Sequence, residues 1–391
     1  MRALANSARI GPDDTNWNGV LTDIDDMFAL AANGGPGAWN DPCLLLGADA
    51  SGREAQTDQQ SRFQFTAWAL LAAPMLLSQS VVSMSPFRLE TYLNEEVIAV
   101  GQDPLGRQGV LLAGGKLSLA PRALSEHLAR RHGGRVPDPR AAIPANELRR
   151  LRGSAWAGDG NTPLSLLPCA APVSSVQQWA WNVSGVNYLS NVATHLCANT
   201  DDCGPGLIGF TCVTTGDTCC GAGCLDNMRF VLGADGTLRT PSQPGMCAVG
   251  APGLQVSLAA CAPSAAAQQW AFNAATKQLT SGGQCLTVGD GAADRTAVVG
   301  RPLADGSWAL GFFNAGLNAG DVVCDAACIA GMGFEPSQAF HARDLYAHAA
   351  LPDIAAGANI TAPALVGSGG VALLQIMPVF DAPLPPPPSQ L

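Results

Sequence analysis

Charge is scarce in this chain of 391 residues, with Asp, Glu, Lys and Arg together at 13%, about half the usual share. Long salt-bridged helices are thereby disfavoured, and 44 Gly with 28 Pro favour short strands, tight turns and loops instead. Basic charge is scarcest of all. A net charge of −10 argues against nucleic acid as a partner class, because a phosphate-binding face would need a basic stripe. No segment reaches the ~18 apolar residues of a membrane-spanning helix, so no membrane partner is expected. The opening MRALANSARIG has no apolar stretch of about 7–15 residues of the signal-peptide kind, and by itself reads as a chain missing its beginning. Finally, no His sits beside Cys219, Cys220 and Cys224 to complete a zinc set, so neither a metal nor another cofactor is expected.

What is present bounds the class further. The length suits two or three domains, and 47% apolar residues can build sizeable cores. Of 13 cysteines, ten fall between Cys169 and Cys285, followed by Cys324 and Cys328, with Cys43 alone near the start. Such crowding is read as disulfides formed in an oxidising compartment. The sequons Asn182-Val-Ser184 and Asn359-Ile-Thr361 agree with a secretory, extracellular, lysosomal or vacuolar location.

Along the chain, residues 1–110 read as α/β, with short apolar runs (CLLLG, APMLLSQS) alternating with helical patterns. In QQSRFQFTAWALLAA, residues Phe63, Ala67, Leu70 and Leu71 share one helical face. The alternation predicts βα units and a parallel sheet. Asp23, Asp25 and Asp26 lie on another helical pattern (Leu21, Ile24, Phe28), where they read as a solvated face. Residues 111–160 carry eight arginines between Arg122 and Arg152 among Pro, Gly and Ala, the composition of a solvated linker. An internal repeat follows. A Cys followed nine or ten positions later by the Trp of Gln-Gln-Trp-Ala-aromatic-Asn occurs at Trp179 and again at Trp270, continuing into Leu189/Cys197 and Leu279/Cys285. A weaker copy runs through Phe230, Leu238 and Cys247. From 296 onward TAVVGRPLADGSWALGFFN and GGVALLQIMPVF alternate like antiparallel strands, and APLPPPPSQL reads as an extended tail.

The Gln-x-Trp signature, the Asp235-Gly236-Thr237-Leu238 turn and the Cys247/Cys261 spacing resemble the ricin-B-type β-trefoil over about residues 160–290. That resemblance implies a Cys247–Cys261 bridge, a mainly structural role for the repeat tryptophans, and Trp179 and Trp270 as the candidate lectin aromatics. Residues 203–224 read as a Cys-rich insertion, and the last repeat as lacking its closing Cys.

Four further motifs occur in order: ARIGPDDTNWN, GPGAWNDPCLLLG, AWALLAAPMLLSQ and EEVIAVGQDPLGRQG. Together they are similar to the melibiase, or α-galactosidase, family of glycoside hydrolases. Its C-terminal β-sandwich resembles residues 296–380, and Cys324-x-x-x-Cys328 looks like a short bridge of animal members. The resemblance implies a (β/α)8 barrel that cleaves terminal α-galactosides with retention, using two carboxylates roughly 5 Å apart. Asp13, four positions after Arg9, is then the acid/base that protonates the departing oxygen and later deprotonates water. Arg9 holds sugar hydroxyls and biases Asp13, while Asp41 braces the site. Cys43 stands where the family motif has an Asp and lacks the hydrogen-bonding capacity of a carboxylate. Asp14 reads as an ordinary turn residue.

The expected architecture is multidomain α/β plus all-β. It comprises a partial (β/α)8 barrel (the last three βα units, residues 1–110), a linker (111–160), a Cys-rich β-trefoil-like insert (161–292), a C-terminal antiparallel β-sandwich (293–381) and a Pro-rich tail (382–391). The family nucleophile belongs to a Lys-x-Asp strand upstream of the Arg motif, and the eight residues before Arg9 contain no acid. The expectation is a truncated hydrolase with no turnover, its partner an oligosaccharide or glycoconjugate ending in α-galactose. The rival is a lectin-like protein that binds sugar without cleaving it.

Overall fold

In the computed structural model, the residues described are 6–10, 13, 17–47, 56–118, 162–181, 188–200, 205–212, 226–289, 295–316 and 318–379. The expected linker beyond residue 118, most of the Cys-rich insertion at 203–224, the Asn182 sequon, Asp14 and the tail lie outside them.

The first region holds a parallel pair, β1 (Ser7–Arg9) and β2 (Trp39–Asp41), joined by helix α1 (Trp17–Ala29). A single parallel bridge, Leu45 to Leu77, represents the strands expected near Leu45 and Met75. Helix α2 (Asp58–Leu70) starts at a capping box. The Thr57 hydroxyl accepts from the Gln60 backbone N–H and the Gln60 side chain accepts from that of Thr57, satisfying two end donors. Helix α3 (Pro86–Tyr92) starts on Ser85 with Pro at its first turn, and α4 (Glu95–Gly101) on Asn94.

Helix α1 corrects the reading of its acids. Asp23, Asp25 and Asp26 are 1%, 2% and 6% exposed, not solvated. The Asp25 carboxylate accepts the backbone N–H groups of Leu117 and Ser118 at 2.8 and 2.9 Å. Asn18 donates to the Thr162 hydroxyl at 2.6 Å. Chain arriving from a distant part of the sequence therefore covers the face that periodicity assigned to water.

The second region is a β-sandwich. Strands β16 (Thr296–Pro302), β17 (Trp308–Asn314), β19 (Phe340–Asp344), β20 (Ala349–Ile354) and β22 (Gly370–Pro378) form one sheet. Strands β18 (Gly320–Cys324) and β21 (Ile360–Leu365) form the other. Strand β3 (Val110–Gly114) joins the edge of the larger sheet by pairing antiparallel with β16, so the chain from 110 to 118 is structural and not the start of a linker. Between the sheets, Phe312, Phe340, Ile329, Ile360 and Ile376 form the core, closed by the Cys324–Cys328 disulfide.

The outer face of the large sheet shares one apolar core with the first region. Phe63 of α2 meets Phe313 of β17 edge-to-face at 4.7 Å between ring centroids. Gly311 makes this possible, since a Cβ there would fall 2.4 Å from the Leu70 side chain. The fully buried Arg301 of β16 donates to the carbonyls of Ala69 and Gly101, where α2 and α4 end. A cation suits the negative end of a helix dipole.

Between β3 and β16 lies the insert. Its described strands number twelve, arranged as three successive sets of four: β4 (Thr162–Pro168), β5 (Trp179–Trp181), β6 (Leu189–Asn191), β7 (Leu196–Thr200); β8 (Leu207–Thr211), β9 (Val231–Leu232), β10 (Leu238–Arg239), β11 (Met246–Val249); β12 (Ser257–Ala260), β13 (Trp270–Asn273), β14 (Gln278–Ser281), β15 (Gln284–Val288). The last strand of each set pairs with the first of the next (β7 with β8, β11 with β12), and β15 returns to β4. Three disulfides follow the same rule: Cys197–Cys212, Cys247–Cys261 and Cys285–Cys169. The last set therefore does not lack its closing cysteine; Cys285 closes back onto the first. The insert has its own core, with Trp179, Leu189, Phe230, Leu238, Trp270 and Leu279 at its centre.

Candidate active site

Arg9 ends β1 and lies in register with Asp41, which ends β2. Both therefore stand at the carboxyl ends of parallel strands, the place where α/β folds build their sites. The Arg9 guanidinium makes three contacts there. Nη2 donates to Asp13 Oδ1 at 2.9 Å and to Cys43 Sγ at 2.7 Å, and Nε donates to the Pro42 carbonyl at 2.9 Å. Burial works against its charge, but Cys43, Asp13 and Asp41 prevail and hold its pKa above the ordinary value.

The partners differ in exposure. The Asp13 side chain is 88% exposed, open to an incoming ligand. Asp41 is half-buried, and burial, only partly offset by Arg9, raises its pKa. Cys43 is buried, with its thiol outside any disulfide. In place of a carboxylate, its sulfur accepts the Arg9 hydrogen bond, so the substitution keeps an acceptor.

A layer beneath the site escaped the sequence reading. The Trp68 indole N–H donates to the Cys43 carbonyl at 2.9 Å. Gln64 accepts from the Leu46 N–H and donates to the Leu44 carbonyl, and Gln56 donates to Gln64 and to the Leu46 carbonyl. All three side chains are buried, and together they fix segment 43–46. Gln64 within the apolar helical stretch was the available signal, because a buried amide needs partners.

The other candidate residues lie elsewhere. Trp179 and Trp270 are 0% and 4% exposed. Their indole N–H groups donate to the Leu286 and Ala248 carbonyls, so neither offers a ring face to a sugar. Cys247–Cys261 and Cys324–Cys328 are disulfides with S–S distances of 2.08 and 2.02 Å. Among the described residues no group of three or more His, Cys, Asp or Glu is placed to hold a metal ion. No described helix is long and apolar enough to cross a membrane.

A cation thus bonds an exposed carboxylate and a thiol at the strand ends. Comparison with known proteins gives two family matches. Residues 14–103 match the family model described as alpha galactosidase A, and residues 293–376 match the alpha galactosidase C-terminal β-sandwich domain. The two segments flanking the insert thus resemble the α-galactosidase (melibiase) family of glycoside hydrolases. Alpha-galactosidase 3 of Arabidopsis thaliana is 42% identical over 110 residues, 28% of this chain and 24% of the relative. An alpha-N-acetylgalactosaminidase of Gallus gallus is 34% identical over 117 residues, 28% of each. The chain spans about a quarter of the length of these curated relatives. Among solved structures, alpha-galactosidase I from Mortierella vinacea aligns over 96% of this chain and 54% of its own. Its TM-score of 0.44 at 13% identity is too loose to define the fold.

Proposed function

We propose that this chain carries part of a retaining glycoside hydrolase site for terminal α-D-galactosides, with Asp13 as the acid/base. The supporting observation is the Arg9 guanidinium, held at the carboxyl end of the parallel pair and bonded at once to Asp13 and Cys43. Asp13 would protonate the leaving glycosidic oxygen and then take a proton from water. Arg9 would stabilise its carboxylate and meet sugar hydroxyls. Asp41 braces Arg9, and Cys43 lines the sugar side as a hydrogen-bond acceptor.

Double displacement also needs a carboxylate attacking from the opposite face. The proposal assigns none to this chain. It reads residues 1–110 as the last three βα units of a barrel. The test is a chromogenic α-galactoside. No release of chromophore is expected from the chain alone; hydrolysis that disappears in Asp13→Asn would overturn this reading. The disulfides support maturation in the secretory pathway.

A second reading rests on the insert. Three four-strand sets with repeated disulfides and buried repeat tryptophans support a ricin-B-like β-trefoil, hence a lectin-like protein. A glycan array probed with the whole chain tests it. Binding that persists in Asp13→Asn supports the lectin reading, and silence counts against it.

A further inference from the structure

We infer that Asn359 is a site of N-linked glycosylation. The tripeptide Asn359-Ile360-Thr361 has the acceptor pattern, with a hydroxyl residue two positions after the Asn. Such triplets are often buried or locked, so their placement decides. Here the turn at 355–358, closed by Ala358 N–H on the Ala355 carbonyl and with Gly357 at a positive φ, delivers Asn359 to the start of β21. Asn359 and Thr361 are exposed, and Ile360 between them points into the sandwich core at 2% exposure. Among the described residues, the Asn359 side-chain amide has no hydrogen-bond partner. Both groups that an oligosaccharide-transferring enzyme must reach thus lie on one open face, while the residue between them anchors the strand.

The neighbourhood suits a glycan. Among the described residues, β21 pairs with β18 alone in a two-stranded sheet, and its other edge has no strand partner. Val323, opposite Thr361, is 38% exposed, and Val366 just beyond β21 is 50% exposed. An uncovered apolar edge invites pairing with another chain, and a bulky hydrophilic group beside it blocks that approach.

In the reaction, the Asn359 amide nitrogen bonds to C1 of the first sugar of a polyprenyl-diphosphate-linked oligosaccharide. The C1–O bond to the diphosphate breaks, the diphosphate leaves with the electron pair, and the amide loses one proton to the transferase. This rests on the proposed secretory maturation, because donor and transferase belong to that pathway.

The test is to secrete the full chain from a eukaryotic host and map its peptides after glycan-removing amidase treatment in heavy-oxygen water. Free thiols are counted in parallel. The peptide holding residue 359 is expected to return as heavy-labelled Asp, a label kept by Thr361→Ser and lost in Thr361→Ala and Asn359→Gln. Unmodified Asn359 in a secreted, disulfide-bonded chain overturns the site while leaving the compartment intact. Unmodified Asn359 with free thiols overturns both. The wild-type map stands even if a variant fails to fold.

Discussion

The β-sandwich carries two attachments, and they are joined to it in opposite ways. The α/β region merges with it. Phe63 and Phe313 share one core, Arg301 is buried between two helix ends, Asn94 donates to the Leu345 carbonyl, and Glu96 accepts from Arg343 and His348 at 2.7 Å each. Among the described residues, the insert touches the rest sparsely. It leaves and returns through adjacent strands, Gly115 N–H donating to the Thr296 carbonyl at 3.0 Å, and Asn18 of α1 donates to its Thr162. Its core and three of the four disulfides among described residues are its own. An insertion whose ends meet at a hairpin leaves the host sheet intact. One attachment is therefore part of the same cooperative unit, and the other is a module.

The largest expected effect breaks the merged unit. Phe313→Ala should destabilise it by about 3–5 kcal/mol, the range for deleting a buried aromatic ring. In calorimetry the α/β and sandwich regions should lose stability together while the insert's transition stays put; a shift of all transitions would show that the insert is no module. Cys247→Ser with Cys261→Ser is the converse, costing about 2–4 kcal/mol in the insert alone.

Acid and base sharpen the comparison at the seams. Burial raises the Asp25 pKa to about 6, against the ordinary 3.8, despite the Leu117 and Ser118 N–H groups that favour its charge. Its folded-state pKa exceeds the unfolded one, so its protonated form is fully stabilising below about 4. That contribution is lost as pH rises through 6. Two pKa units correspond to about 3 kcal/mol at most. A melting-temperature profile should fall over that window, and Asp25→Asn should flatten it.

Glu96 has the opposite sign. Hydrogen bonds from Arg343 and then His348 outweigh burial and lower its pKa from 4.5 to about 2. Its contribution is present above 4.5 and lost as pH falls to 2. Solvent screening limits it to about 1 kcal/mol. Glu96→Gln should therefore show the smallest change, confined to acid.

Much of this was legible in sequence, and the failures share a cause. The sandwich showed itself because TAVVGRPLADGSWALGFFN alternates between two buried faces. The insert showed itself because Gln-Gln-Trp recurs; in the structure Gln177 and Gln268 make the same paired bonds, to Ala170 and Pro168 and to Ala262 and Ala260. Arg9 and Asp13 stood out through the family resemblance alone, and the structure brings their side chains together. What stayed hidden depended on chain distant in sequence. Asp23, Asp25 and Asp26 look solvated until other segments cover α1, and VLLAG at 110–114 looks like a linker until β16 supplies its partner. Cys169–Cys285 joins residues 116 apart, a pairing that spacing does not determine. Cys43 looked like a lost acceptor because its bond to Arg9 requires β1 and β2 to be side by side.

The proposed chemistry belongs to the merged region and the rival lectin reading to the module. The most direct measurement exposes the chain to an activated 2-deoxy-2-fluoro-α-galactosyl donor, which stalls on an attacking carboxylate, and reads the intact mass. An unchanged mass is expected. A single galactosyl adduct mapped to any residue would reveal an attacker opposite Asp13 and contradict the assignment.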